Sequence, residues 1–519
     1  MNERPFVSIL LLCAVLFILI FTGIQGVDFG YHEDEYKHIR PLAQSLNNRI
    51  FLPNRYIHPS MCYDIAIIVL LPDIIKLLPS FLRNDRASLG QLKEIVLGHS
   101  FLLKLRVICI ILCSLSILWV YLLILSWRKN PAEALLGACF LGFSWQVAYH
   151  SRWVAPDAIM MQFGALSMML VFFALDSSVG KIWLRLAAVS AGLAFGTKYQ
   201  GCLFIIPVLL AASHVFKNRS WKARLALCSK LFFLMVLIYL ATTPGTFLEP
   251  VRFYENVMTD WNGYASGGGN NTVRPGIEHI ILMVQYFSLV LFSKYAIIAC
   301  FVFFFTAVGL FAVVKEDKER ALIFLSLPFL YLAFMATRKG MVIRNLMILA
   351  PFLAILAARG FTYLQENVLK HVILRATFAT LVAVALFING YWLYWASESI
   401  KNKQTDNYIA QLTSYIDRYP NKKFLVSKDV HKALLSFNAK EKANVTEKYS
   451  DEIDTAVLYK HELISNRWPA TIPNYLRWFG AYEIDVNYSR NCSANDKILL
   501  APADWAVKRS GAFAKNKKS

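Results

Sequence analysis

Apolar runs recur along the chain from residue 6 to about residue 396 and then stop. A helix needs about 20 mostly apolar residues to cross the hydrocarbon of a bilayer, and most of these runs approach that length. They predict spans at 6–25, 102–126, 131–148, 157–175, 183–196, 201–216, 226–243, 283–313, 321–336, 345–358 and 373–396, about eleven in all. The stretch "LAAVSAGLAFGTKYQGCLFIIPVLLAASHVF" reads as two short helices, because Gly196 to Gly201 makes a turn and Pro207 follows it. "SMCYDIAIIVLLPDIIKLL" is apolar too, but Asp64, Pro72, Asp73 and Lys76 interrupt it, so it reads as a helix lying at the interface. The first run is longer than a signal-peptide core and lacks a convincing small-residue cleavage pattern, so it reads as a retained span. Beyond residue 397 the pattern turns mixed polar, with short apolar runs such as "KKFLVS" and "DTAVLY". These predict a small α/β domain.

Composition agrees with the pattern. The 519 residues are 57% hydrophobic and 17% charged, with a mean hydropathy of +0.45, which is polytopic rather than soluble. The formal charge of +20 does not point to nucleic acid, because the cations cluster in short loops between spans. Seven of the nine cysteines lie in apolar runs as small hydrophobes, leaving Cys62 and Cys492 in non-membrane stretches where they could be oxidised. Sequons stand at Asn444, Asn487 and Asn491, no internal repeat is visible, and "SGGGNN" at 266–271 predicts a flexible loop over 244–282.

Charge also sets sidedness. Arg128-Lys129, Lys181 with Arg185, Lys217 through Arg224, Lys315 through Arg320 and Arg359 through Arg375 fall on one side if the N-terminus is cytoplasmic. With an odd number of spans, 26–101, 244–282 and the tail after 397 then lie outside. The domains expected are a transmembrane region over 1–396, with 26–101 as its first outer loop carrying interfacial helices, and an extracytoplasmic soluble domain over 397–519.

Against that frame, three groups of charges stand at the outer rim. "GYHEDEYKH" places Glu33, Asp34 and Glu35 just after the first span. "YHSRWVAPDAIM" sets Arg152 and Asp157 around the start of the fourth. Charged residues at membrane depth are candidates for function, although Pro156 and Asp157 equally suit the first turn of a helix. "TRKGMVIRNLMILAP" brings Arg338, Lys339 and Arg344 to a face where the positive-inside rule wants few cations, and Lys198 adds a fourth. Phosphate at head-group level is the anion that would collect them, with general attraction to anionic lipid the plainer alternative. Carboxylates and phosphate-binding cations on one face suggest sugar transfer from a lipid phosphate. A carboxylate takes the proton of an acceptor hydroxyl, and cations stabilise the departing phosphate.

In order, these motifs resemble the polytopic GT-C glycosyltransferases, specifically the family 39 group of protein O-mannosyltransferases and lipid A aminoarabinose transferases. The matching pieces are Asp34-Glu35 after the first span, "HPSMCYDIA", "SRWVAPDAIMMQFGAL", "AGLAFGTKYQG" and "RKGMVIRNLMILAPFLAILAARG", covering roughly 20–360. "HPSM" lacks the second proline and the leucine of the usual segment, and Arg344-Asn345 stands where a tyrosine often does. The resemblance implies a GT-C-like helical membrane fold, with Asp34 as general base and Glu35 and Asp157 shaping the acceptor or metal site. Lys198, Arg338, Lys339 and Arg344 would hold the lipid phosphate, with Arg152 and His58 as further substrate-binding candidates. Glu35, His58 and His32 are the candidate ligands of a divalent ion. The expected partners are a polyprenyl-phosphate sugar donor and a glycan, lipid or protein acceptor, with the site on the outer face of a plasma, inner or endoplasmic reticulum membrane. The rival reading is a transporter or flippase of a lipid-linked or anionic solute, which would hold its charges near the midplane and within repeats.

Overall fold

The computed structural model describes residues 5–29, 33–48, 50–82, 87–267 and 272–403. Beyond these it describes residues 413, 416–426, 431, 434, 444–446, 455–459 and 498–502. Two compact units form: Met1–Val27 with Asp34–Tyr394, and Asp28–Glu33 with Trp395–Ser519.

The first unit is helical. Its elements are α1 (Pro5–Gln25), α2 (Tyr36–Asn48), α3 (Met61–Leu82), α4 (Ala87–Leu97), α5 (His99–Arg128) and α6 (Pro131–Gly142). Next come α7 (Trp145–Ser151), α8 (Pro156–Asp176), α9 (Gly180–Thr197), α10 (Ile205–Val215), α11 (Trp221–Thr242) and α12 (Gly245–Leu248). The last are α13 (Pro250–Ser266), α14 (Ile277–Tyr286), α15 (Ala296–Glu316), α16 (Lys318–Ala336), α17 (Ala350–Asn367) and α18 (Val372–Lys403), which runs past the unit boundary. Among the described residues eight helices are long and apolar enough to cross a membrane: α1, α5, α8, α11, α15, α16, α17 with the turn before it, and α18. The chain is an integral membrane protein. The other predicted spans are helical but shorter or less apolar.

Two predicted spans are broken. The 131–148 segment ends as a helix at Gly142, and Ser144 starts α7 by accepting from the Val147 amide. The 283–313 segment divides into α14, a wide-turned stretch Phe287–Leu291, and α15. Opening a helix in an apolar setting strands carbonyl oxygens, which must find donors. Here Trp145 Nε1 donates to Val290 O at 2.6 Å, Ser144 Oγ to Leu291 O at 2.6 Å and Asn389 Nδ2 to Phe292 O at 3.0 Å. Hydropathy does not register such partners.

The turn between α9 and α10 forms as expected, with Lys198 extended (φ −152°, ψ 141°). A Cβ on Gly201 would lie 2.3 Å from the Ala194 backbone, so the turn closes only on glycine. The 244–282 segment is not one loose loop: α13 fills 250–266, opened by Pro250, while 268–271 lie outside the described residues. Within 26–101, α2, α3 and α4 bury Leu42, Leu46, Ala66, Leu70, Leu92 and Val96 against Leu105 of α5 and Ile159 of α8.

Two features tighten the bundle. A Cβ on Gly309 would sit 1.8 Å from Leu356 O, and one on Gly360 1.9 Å from Phe305 O, so α15 and α17 touch backbone to backbone. Midway along α17, Arg359 is paired with Glu133, Glu316 and Glu366, while Arg128 reaches Glu316 at 3.0 Å. Basic residues that the charge pattern assigned to one face thus share carboxylate partners.

The second unit holds a four-stranded sheet in the order β2 (Val445–Thr446), β1 (Phe424–Val426), β3 (Thr455–Tyr459), β4 (Ile498–Pro502). β1 runs parallel to β2 and β3, and β4 is antiparallel to β3. "KKFLVS" and "DTAVLY" supply β1 and β3, as the apolar runs predicted. Asn487, Asn491 and Cys492 lie outside the described residues, and Cys62 is a buried free thiol.

Substituting Gly309 with leucine forces α15 away from α17. We expect a loss of about 1–3 kcal/mol, read as a lowered temperature of aggregation for the detergent-solubilised protein, with the exposed Gly263→Leu as control.

Candidate active site

The site begins with a buried ion pair. The short turn Glu33–Glu35 follows α1, and there Glu35 receives Nε of Arg106 at 2.8 Å and its Nη2 at 2.5 Å, a fork on two carboxylate oxygens. Arg106 Nη1 donates to Val27 O at 2.9 Å and the Val154 amide to Glu35 Oε1 at 3.1 Å. Both side chains are 0% exposed. The turn is thereby pinned to α5 and to the segment entering α8.

This fixes where Asp34 points. Its carboxylate pairs with Lys37 and with Nη1 of Arg344. Arg344 comes from the Ile343–Leu349 turn, and its Nε stands 3.7 Å from Oδ2 of Asp157. Asp157, in the first turn of α8, accepts from Lys198 Nζ at 2.5 Å, and the same ammonium reaches Asn345 Oδ1 at 2.6 Å. Four of the charges singled out in sequence, some 310 positions apart for Asp34 and Arg344, converge in one alternating constellation.

Exposure separates their roles. Asp157 is 0% exposed and Lys198 3%, whereas Asp34 keeps 16% and Arg344 24%. Only the last two have surface with which to meet a ligand. Asp157 and Lys198 serve as a base that sets their geometry.

The remaining candidates are placed differently. Arg338 lays its guanidinium 3.7 Å from the Trp261 ring centroid and 4.6 Å from that of Phe334. Lys339 is exposed, and its backbone amide donates to Tyr264 O at 3.1 Å. Arg152 is buried, with Nε and Nη2 lacking hydrogen-bond partners; burial lowers it to about 10, so it stays charged. His58 is half-buried beside His38, ring centroids 6.0 Å apart. Burial pulls His58 well below the ordinary histidine range and His38 down to about 4, so both are neutral near pH 7. Neutral imidazole suits a metal, yet among the described residues no group of three or more His, Cys, Asp or Glu is placed to hold one. Glu35 spends both oxygens on Arg106, and His32 lies outside the described residues.

Several participants escaped the sequence reading. Asn345 links Lys198 to Tyr264, whose hydroxyl receives Asn345 Nδ2 at 3.1 Å, and Tyr331 OH donates to Asn345 O at 2.6 Å. Asp260, one turn before Tyr264 on α13, is half-buried. Burial pushes its carboxyl above the ordinary range while Lys198 and Arg344 pull the other way. The available signal was Pro250 followed by 16 residues free of proline, a helix start inside an apparent loop. Tyr56 OH donates to Glu249 at 2.5 Å and Tyr199 OH to Tyr56 O at 2.6 Å, tying the segment before α3 to the start of α13.

Comparison with known proteins follows the same line. Residues 95–243 match the family model described as dolichyl-phosphate-mannose-protein mannosyltransferase. The fold is similar to that of ArnT from Cupriavidus metallidurans bound to undecaprenyl phosphate. The TM-score is 0.52 at 12% identity, over 89% of this chain and 95% of that one. The apo state of ArnT gives the same values. Archaeal oligosaccharyltransferase AglB from Archaeoglobus fulgidus, in complex with an inhibitory peptide and a dolichol-phosphate, aligns at 12% identity over 95% of this chain and 74% of that one, with a TM-score of 0.46. No curated protein matches the sequence. The GT-C-like helical fold expected from the order of the motifs is the fold observed.

Replacing Arg106 with alanine strands Glu35 without water or counter-charge. We expect a loss of about 3–5 kcal/mol of stability, measured by thermal unfolding in detergent, and partial recovery in R106M/E35L, where neither charge remains.

Proposed function

We propose that this polytopic membrane protein, with the fold of the GT-C transferases, moves a sugar from a polyprenyl-phosphate donor to an acceptor outside the cytoplasm. The observation that carries the reading is the Asp34–Arg344–Asp157–Lys198 constellation, with Asp34 and Arg344 as its two partly open members. The match of 95–243 to a mannosyltransferase family model and the likeness to an ArnT structure that holds undecaprenyl phosphate support a lipid-phosphate donor.

Asp34 takes the proton of an acceptor hydroxyl as its oxygen bonds to the anomeric carbon. The bond from that carbon to the phosphate oxygen breaks, and its electron pair leaves with the polyprenyl phosphate. In the structure Arg344 is committed to Asp34. An incoming phosphate competes for that guanidinium, and as Arg344 turns to it, Asp34 is released from one of its two cationic partners. Lys198, locked between Asp157 and Asn345, supplies fixed positive potential for the leaving group without reorganising. Arg152, charged and short of acceptors, is a second cation for the donor. Placing the site outside the cytoplasm follows from the distribution of basic loops. The clustering of the charges at helix ends and turns, rather than within interrupted spans, favours transfer over transport.

Asp34→Asn keeps the shape and removes the base. We expect sugar transfer from a polyprenyl-phosphate donor to fall by roughly 100-fold or more with unaltered membrane insertion; retention of full activity would take Asp34 out of the mechanism. Arg344→Ala should weaken apparent donor affinity by roughly ten- to hundredfold, so an unchanged KM for donor would reject its phosphate role.

A further inference from the structure

At the end of α8 opposite Asp157, the cations of the bundle divide into two groups. Arg128 reaches Glu316 at 3.0 Å, and Lys129 and Arg320 both reach Asp176, at 3.3 and 2.6 Å. α9 starts a few residues beyond Asp176, and from residue 177 to residue 248 the chain holds no aspartate or glutamate. This stretch carries Lys181 and Arg185 in α9, Lys217 and Arg219 before α11, and Lys222 and Arg224 at its start. All but the half-buried Arg224 are exposed, and none of them makes an ion pair among the described residues. Arg224 also buries an Nε that has no hydrogen-bond partner. Glu319 of α16 comes against the stretch at His214, 3.3 Å from Nδ1, and not at one of these cations.

The unpaired cations lie together. α9 and α11 run side by side in the same direction, since a Cβ on Gly192 would meet Ile238 and one on Gly196 would meet Thr242. Followed back toward the helix starts at that spacing, Lys181 and Arg185 come within about two turns, roughly 10 Å, of the level of Arg224. Lys217 and Arg219 stand in the connection that enters α11 at that level. Cations in a first turn oppose the helix dipole, and neither α9 nor α11 has an acidic residue there to offset them. Between the cations, Ile182, Leu186, Trp221 and Leu225 are exposed. Positive charge interleaved with bare apolar side chains at the end of a membrane helix complements both parts of an anionic lipid.

We infer that this patch binds an anionic phospholipid, its phosphate head group on Lys181, Arg185, Lys222 and Arg224 and its acyl chains along Ile182, Leu186 and Leu225. The site is separate from the Asp34 constellation and does not depend on the transferase reading. An acidic protein segment would use the charges and leave the aliphatic side chains bare. α11 is long and apolar enough to span a bilayer and buries only Leu231, Met235 and Tyr239 in the protein, so the rest of its surface belongs to lipid.

The test uses the full-length protein in nanodiscs of mixed phosphatidylcholine and phosphatidylglycerol. Lipid kept after transfer to mild detergent is counted by native mass spectrometry. Phosphatidylglycerol is expected to be retained about fivefold or more above its share of the bilayer. K181Q/R185Q on α9 and K222Q/R224Q on α11 should each cut that enrichment severalfold. K129Q/K318Q, which removes two cations with carboxylates beside them, should leave it unchanged. Thermal unfolding in phosphatidylcholine alone checks that each variant is folded, and the two patch variants test the same surface independently. Equal retention of the two lipids, an enrichment untouched by both patch variants, or an equal drop in K129Q/K318Q would each overturn the inference. Glycerol 1-phosphate separates the sources of phosphate. Resistance of the retained lipid to it supports a lipid site, whereas displacement at equal concentration would make this a site for soluble phosphate and overturn the lipid assignment.

Discussion

Two charges with no access to water, the carboxylate of Glu35 and the guanidinium of Arg106, face each other across the junction of the first turn and α5. Neither survives there alone, because removing an ion from water costs far more than any single packing contact returns. The pair's worth is therefore less in net stability than in position. It holds only in one geometry, forked and with Val27 and Val154 as further partners, and that geometry fastens the turn carrying Asp34 to the helices carrying Asp157. A loop residue becomes as well placed as one on a helix.

The same logic repeats at the next level out. Asp157, Lys198 and Asn345 are buried, with the Lys198 ammonium bridging the other two, leaving Arg344 and Asp34 as the members with residual exposure. Such a gradient, sealed inside and open outside, makes an electrostatic site preorganised: its inner charges cannot relax toward a ligand, so they act at full strength on whatever arrives. Tyr264 and Asp260 extend the constellation onto α13, and Tyr56, Tyr199 and Glu249 hold that helix to the segment before α3. The site is a meeting of five separate stretches, the Glu33–Glu35 turn, the start of α8, the turn after α9, α13 and the Ile343–Leu349 turn, none of which contains it.

A second network around Arg359 joins it to Glu133, Glu316 and Glu366, the last two of which reach the surface. With the close approach of α15 to α17 at Gly309 and Gly360, it makes the rigid frame on which the Ile343–Leu349 turn delivers Arg344.

Much of this was legible in sequence. Long apolar runs can only be buried in lipid or protein, so hydropathy alone located most helices, and the shift to mixed polarity after residue 397 marked the change to a sheet-bearing unit. Asp34, Asp157, Lys198 and Arg344 announced themselves because a charge at membrane depth is costly and short loops otherwise obey a charge rule. What hydropathy cannot contain is who partners whom. It joined α14 to α15 because the side chains that satisfy Val290, Leu291 and Phe292 come from residues 144, 145 and 389. It does not show that contact with Arg106 buries and pairs Glu35 while Asp34 stays partly open. Local composition determined which segments are helices in an apolar medium; the pairing of distant charges, whose energy depends on separation in space, was decided by the tertiary structure.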